Sequence, residues 1–146
     1  RQLSEAGRYT VSDRVLQAVQ AEFSCGFCTD AQGAQTIGKT FREKQYLLDT
    51  HTAVACTVLD AYRAETGDQT LTVVESTASP FKFCASVLDA LGVTEHAPGT
   101  GVLDQLTKET GRPAPKPLAS LAGKAARFDQ ITDRADMRAV VTEFLR

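Results

Sequence analysis

The stretch Thr70-Leu71-Thr72-Val73-Val74-Glu75-Ser76-Thr77-Ala78-Ser79-Pro80 decides how the rest of the chain is read. Its first five residues are β-branched or apolar, and Leu71, Val73 and Val74 suit a strand buried on both faces. A polar turn rich in hydroxyls follows. Ser79 then stands at a capping position before Pro80, which fits the first helical position because the N–H it lacks would be unpaired there. Phe83, Val87, Leu88 and Leu91 recur at helical spacing, and Gly92 suits the end of that helix. Strand, hydroxyl turn and helix in succession form the unit of an α/β fold, here expected to be helix-rich with few short, mainly parallel strands.

Working toward the N-terminus, Val54, Val58 and Tyr62 fall four apart with Leu59 beside them, an amphipathic helix stopped at Gly67. Before it, Tyr46-Leu47-Leu48 is a short apolar stretch ending in Asp49-Thr50-His51-Thr52. A polar helix from an Asp30 cap to about Lys44 is expected despite Gly33 and Gly38 inside it. Another is expected from a Ser12 cap, with Val15, Leu16, Val19 and Phe23 on one face. Toward the C-terminus the texture changes: four of the five prolines lie between Pro98 and Pro117. A short helix over 102–109 is expected within this connector. A strand at 128–131 and a helix capped by Thr132 or Asp133, carrying Met137, Val140, Val141, Phe144 and Leu145, close the chain. The predicted organisation is an α/β segment at 1–97, a Pro/Gly-rich connector at 98–126 and a strand and helix at 127–146.

At 146 residues the chain has room for one domain, and 42% hydrophobic with 23% charged residues is globular rather than disordered. Sixteen basic against 18 acidic residues give a net charge of −2, with no basic concentration, so a nucleic-acid partner is not expected. Apolar runs are too short for a membrane helix. The chain begins Arg1-Gln2-Leu3, without a Met or a basic-then-apolar leader, and reads as a piece of something longer or a processed product.

Four cysteines are present. Cys25-Gly26-Phe27-Cys28 is half a zinc site or a redox pair, but Cys56 and Cys84 stand alone and His51 and His96 form no ligand pair with spacing to match. A thioredoxin-like motif wants a strand before it, where this chain has a helix. The expected state is four reduced thiols in a cytoplasmic protein, with no metal. Gly99-Thr100-Gly101 has neither a third glycine nor a preceding strand, so it is not a dinucleotide loop.

In α/β folds the ligand crevice lies beyond the carboxyl ends of the strands, beside helix N-termini. Ser76-Thr77-Ala78-Ser79 occupies that place, and its three hydroxyls either meet an anion or polar ring atom or merely cap the turn and helix. His51, two residues after Asp49, is either a general base or a packed, hydrogen-bonded histidine. Lys82, between Phe81 and Phe83, is either a desolvated amine or a surface residue.

Two of these stretches resemble a known family. Tyr46-Leu47-Leu48-Asp49-Thr50-His51-Thr52-Ala53-Val54-Ala55 resembles the YLxDPHTAVG stretch of threonine synthases, and residues 73–83 resemble their VVLSTAHPAKF stretch, in the same order and at a fitting gap. Residues 9–46 look like the family's two preceding helices, and Pro117-Leu118-Ala119-Ser120-Leu121 with the closing helix looks like its C-terminus. Thr50, Ala55 and Ser79 depart from the family's usual Pro, Gly and His.

The resemblance implies a helix-rich fragment of the large domain of a fold-type II pyridoxal-phosphate (PLP) enzyme. It further implies that the intact enzyme converts O-phospho-L-homoserine and water to L-threonine and phosphate. The family's threonine in STAHP, which contacts the pyridine nitrogen of the cofactor, matches Thr77. A neutral hydroxyl there does not force the nitrogen to stay protonated, and this weakens the electron sink and lets the protein steer which carbon loses its proton. The family's Schiff-base lysine and glycine-rich phosphate loop have no counterpart here, and Lys82 belongs to the later motif. The 146 residues alone are therefore expected to be inactive, without catalytic residues and without bound PLP, and either to self-associate through exposed strand edges or apolar surface or to keep a smaller helix-dominated core with only two or three short strands. The alternatives are a non-catalytic helical scaffold module and a thiol or zinc module built on Cys25 and Cys28.

Overall fold

The computed structural model describes residues 2–125, 127 and 130–145. In chain order its α-helices are α1 (Gln2–Ala6), α2 (Asp13–Glu22), α3 (Asp30–Lys44), α4 (Thr50–Thr66), α5 (Cys84–Ala90), α6 (Gly101–Thr110), α7 (Lys116–Ala119) and α8 (Met137–Phe144). A single 3-10 turn, Pro80–Lys82, leads into α5.

The core sits where α3 meets α4 and α5, and where α5 in turn meets α6. Ile37 comes from α3, Ala53 from α4, Val87 and Leu88 from α5, and Leu103 and Leu106 from α6, with Leu48 and Phe81 closing the ends. Burying each large aliphatic side chain contributes about 1.5–3 kcal/mol. A hydroxyl pair, Thr36 with Thr57 at 2.7 Å, ties α3 to α4 beside this core.

Local chemistry explains the helix ends. The sequence suggests Asp30 as the cap of α3, but Thr29 caps it. The Thr29 hydroxyl accepts from the Gln32 amide, and the Gln32 side chain accepts from the Thr29 amide, a reciprocal capping box. The spacing Thr29-x-x-Gln32 carried that signal. Gly67 ends α4 in the left-handed region (φ 72°), as expected of a residue without Cβ. Ser12 precedes α2 in extended conformation without a side-chain capping bond. In α4 the residues taken up by the core are Thr52 and Ala53 rather than the Val54 stripe, and Val54 itself is exposed.

At Gly38 α3 comes close to α5. A Cβ built there would stand 2.6 Å from the carbonyl oxygen of Ala90. Gly33, one turn earlier on the same helix, would meet nothing within 4 Å.

The strands are the main correction. Among the described residues none is assigned to a strand. Residues 70–74 run irregularly and unpaired, with Leu71 93% and Val73 85% exposed. A β-branched run becomes a strand only where a neighbour supplies the ladder, and here its contacts are to a helix. The Arg63 guanidinium donates to the Thr70 carbonyl and the Thr72 hydroxyl, both at 3.1 Å. The strand predicted at 128–131 lies partly outside the described residues, and Gln130 and Ile131 are not in a strand. The last helix begins at Met137, later than the Thr132 or Asp133 cap predicts, because residues 134–136 form a turn closed by the Asp136 amide on the Asp133 carbonyl. The helix expected at 102–109 is α6.

None of the residues of α1, α2 or α8 is buried. On α2 the apolar face of Val15, Leu16 and Val19 is open, with Phe23 beyond it. Among the described residues no helix is long and apolar enough to cross a membrane.

The two α3 glycines yield a paired expectation. Gly38→Ala should destabilise the fold by about 1–3 kcal/mol, since the new methyl must push a carbonyl aside. Gly33→Ala should stabilise it by about 0.5–1 kcal/mol through helix propensity. Urea midpoints of the two variants measure both effects, and equal shifts would contradict the close approach.

Candidate functional site

The polar centre of the molecule is Asp49. It stands immediately before α4 in extended conformation, and its carboxylate is buried at 1% exposure. One oxygen, Oδ1, accepts from the backbone amides of His51 at 2.9 Å and Thr52 at 3.2 Å, capping the helix. The other, Oδ2, accepts the Thr52 hydroxyl in a short hydrogen bond and the Ser76 hydroxyl at 3.3 Å. Thr52 and Ser76 also meet each other, Oγ to Oγ, at 3.0 Å. Burial alone would raise the Asp49 carboxyl. The donors from Thr52, His51 and Ser76 outweigh it and hold the group below the ordinary aspartate value.

This network joins the two stretches that the sequence singles out. Ser76 belongs to the hydroxyl turn and Asp49 to the start of α4, 27 positions apart. Both segments were legible, but their link was not, because nothing in the spacing shows which turn packs on which helix.

The three hydroxyls of the turn have different fates. Ser76 is exposed, but its hydroxyl is turned onto Asp49 and Thr52. The Ser79 hydroxyl accepts from the Phe81 amide at 3.3 Å and so caps the 3-10 turn. Thr77 is exposed, and among the described residues its hydroxyl has no hydrogen-bond partner. Two hydroxyls are consumed by structure and one is left available.

His51 lies one residue inside α4, its side chain 65% exposed. Its Nδ1 is 3.6 Å from Asp49 Oδ1, beyond hydrogen-bond reach, and its ring lies against Phe83 with centroids 5.0 Å apart at 48°. Asp49 spends its lone pairs on amides and hydroxyls, so it does not orient His51 as a general base. Phe83 and His51 form one wall of a cleft of about 540 Å³ that Cys28, Thr29, Ile37 and Ser86 also line. Lys82 is exposed. His96 pairs with Asp89 at 3.1 Å on the far end of α5.

All four cysteines are free. Burial raises the Cys56 and Cys84 thiols, with Asp60 adding to the effect at Cys56, so both are poor nucleophiles. Among the described residues no group of three or more His, Cys, Asp or Glu side chains gathers to hold a metal ion.

Residues 52–142, a span that begins inside α4 and contains the Thr77 turn, match the family model "Threonine synthase, C-terminal". The chain belongs to the threonine synthase C-terminal family. It is 29% identical over 94 residues to "Threonine synthase-like 1" of Macaca fascicularis, covering 64% of this chain and 12% of that protein. It is 27% identical over 96 residues to "Threonine synthase" of Saccharomyces cerevisiae, covering 62% of this chain and 19% of that protein. Among solved structures, the X-ray structure of PLP-bound threonine synthase from Brucella melitensis superposes with a TM-score of 0.55 at 33% identity, over 76% of this chain and 22% of the other. The chain thus spans under a fifth of the curated relatives' length. The helix-rich character of this threonine synthase segment agrees with the sequence reading, while its strands do not appear.

The Asp49 network predicts a pH signature. A carboxyl depressed in the fold adds stability above its unfolded value near pH 4, and that stability is lost as pH falls through the lower folded value. Asp49→Ala should cost roughly 1–3 kcal/mol at pH 7, from the lost cap and the stranded hydroxyls. The gap between wild type and variant should close on going toward pH 3. Denaturation midpoints across that range measure it, and a gap that stays constant would contradict the assignment.

Proposed function

We propose that this chain supplies one wall of the PLP site in a threonine synthase and that Thr77 is its contact to the cofactor's pyridine nitrogen. The observation that carries the reading is the uneven use of the turn's hydroxyls: Ser76 and Ser79 are consumed by the fold, and Thr77 is left exposed and unengaged. A free neutral hydroxyl both donates and accepts, so it suits a ring nitrogen in either protonation state. Membership of the threonine synthase C-terminal family and the PLP-bound Brucella neighbour support the same placement.

In the intact protein the reaction would be conversion of O-phospho-L-homoserine and water to L-threonine and phosphate. PLP supplies the electron sink when bound. The chain's own part is to hold a neutral contact at the ring nitrogen, leaving the sink weaker than a carboxylate partner would make it. The Schiff-base lysine and the phosphate cradle lie in other segments of such an enzyme, and the 146 residues alone are inactive. A second reading, the same contact serving a different substrate, is favoured by the likeness to proteins named Threonine synthase-like 1.

The exposed Leu71 and Val73 and the open face of α2 make the isolated chain self-associating. Light scattering should show mass rising with concentration, and a monodisperse monomer throughout would refute this.

Two measurements test the cofactor contact. In a threonine synthase carrying these residues as its C-terminal part, Thr77→Val should lower kcat/KM for O-phospho-L-homoserine roughly tenfold or more, the worth of one buried hydrogen bond. A PLP-loaded enzyme that does not turn over O-phospho-L-homoserine at all would favour the second reading. For the 146 residues alone, borohydride treatment with PLP should trap no single lysine stoichiometrically. One specifically modified lysine would overturn the division of labour.

A further inference from the structure

We propose that Ser76 and Asp49 are positioning residues: together they latch the hydroxyl turn to the first turn of α4 and thereby set where the Thr77 hydroxyl stands. The proposal rests on the reading of Thr77 given above and names what holds it in place.

The residues before the turn give it little support. Residues 70–74 pair with no other strand, and their tie to α4 is the exposed Arg63 contact at Thr70 and Thr72. After the turn, Ser79 and Pro80 open the 3-10 turn on Phe81, which is anchored in the core. Between these two attachments the side-chain contact that fixes the turn is Ser76, immediately before Thr77. Its hydroxyl reaches Asp49 Oδ2 at 3.3 Å and Thr52 Oγ1 at 3.0 Å.

The other end of the latch is rigid. Asp49 is 1% exposed, and its Oδ1 is clamped by two backbone amides of α4, so Oδ2 cannot swing away without uncapping the helix. Thr52, 4% exposed, donates its one hydroxyl proton to Asp49, and the Ser76 proton is shared between Asp49 Oδ2 and Thr52 Oγ1. A hydrogen bond to a buried, ionised acceptor is stronger than a neutral one, and it is directional. The carboxylate is spent on structure at one oxygen and on the turn at the other, and the turn carries the free hydroxyl.

The variants separate latch from cap. Asp49→Ser keeps a good N-cap oxygen but has no second oxygen for Ser76. Ser76→Ala removes the latch and leaves the cap untouched, and Ser76→Thr restores a hydroxyl. In the 146-residue chain, backbone 15N order parameters read the turn directly, since among the described residues the amides of residues 75–79 donate no hydrogen bond whose opening exchange could report. Ser76→Ala should lower the order parameters at residues 75–79 from the rigid range near about 0.85 toward the flexible range below about 0.6, while the interior of α4 stays rigid. Asp49→Ser, which leaves Ser76 its contact with Thr52, should lower them less, and Ser76→Thr should restore them.

In a PLP-loaded threonine synthase carrying this segment, Ser76→Ala should shift the cofactor's absorbance maximum in the same direction as Thr77→Val, and Ser76→Thr should return it. A purely structural residue would alter stability without moving that spectrum. Unchanged order parameters at 75–79 in Ser76→Ala overturn the latch, as does a spectrum that moves with Thr77→Val but not with Ser76→Ala. If the order parameters fall while Thr77→Val leaves the spectrum unmoved, the latch stands and the cofactor contact at Thr77 falls.

Discussion

A carboxylate buried among hydroxyls and amides is costly unless every lone pair is used, and the arrangement around Asp49 follows from that constraint. Two amides at the start of α4 and two hydroxyls, one local and one from a turn 27 positions later, satisfy it. The local donors would suffice to cap the helix. The distant one brings the 76–79 turn onto α4, so a single ionised group sets both where a helix begins and where a loop lies.

The helices around it keep that point still. Contact between α3 and α5 is close enough at Gly38 to exclude a methyl, and Val87, Leu88 and Leu106 are wholly buried behind it. The core is narrow, drawn from α3 to α6 with Leu48 and Phe81. Helices α1, α2 and α8 add no buried side chain to it. The apolar faces on α2 and at Leu71 and Val73 face solvent in the chain taken by itself. The match to the Brucella melitensis enzyme takes in 22% of that chain.

Helices were legible where spacing and punctuation agreed. Gly67 after the Val54 to Tyr62 run marked the end of α4, and Val87 with Leu88 marked the buried side of α5. The cap of α3 was misassigned by one residue because Asp30 is itself a good cap, and the Thr29–Gln32 reciprocity outcompetes it. Residues 70–74 read as a strand because β-branched character reports a preference for pleated packing and says nothing about whether a ladder partner is present. At the site, Thr77 and Asp49 stood out from their positions at a turn and a helix start. What one-dimensional spacing could not show was that Asp49 serves the Ser76 hydroxyl instead of the His51 ring, which turns to Phe83.

The fastening of the 70–79 segment at Thr72 and again at Ser76 makes its residue count as constraining as its composition. Inserting or deleting one residue between the two fastenings would change the span by up to about 3.5 Å and take the second hydroxyl out of reach of Asp49. Homologous sequences aligned here should tolerate exchange of Val73 or Glu75 far more readily than a single-residue gap. The longer connection after Gly92, held to α6 through Gln105, has slack to absorb one.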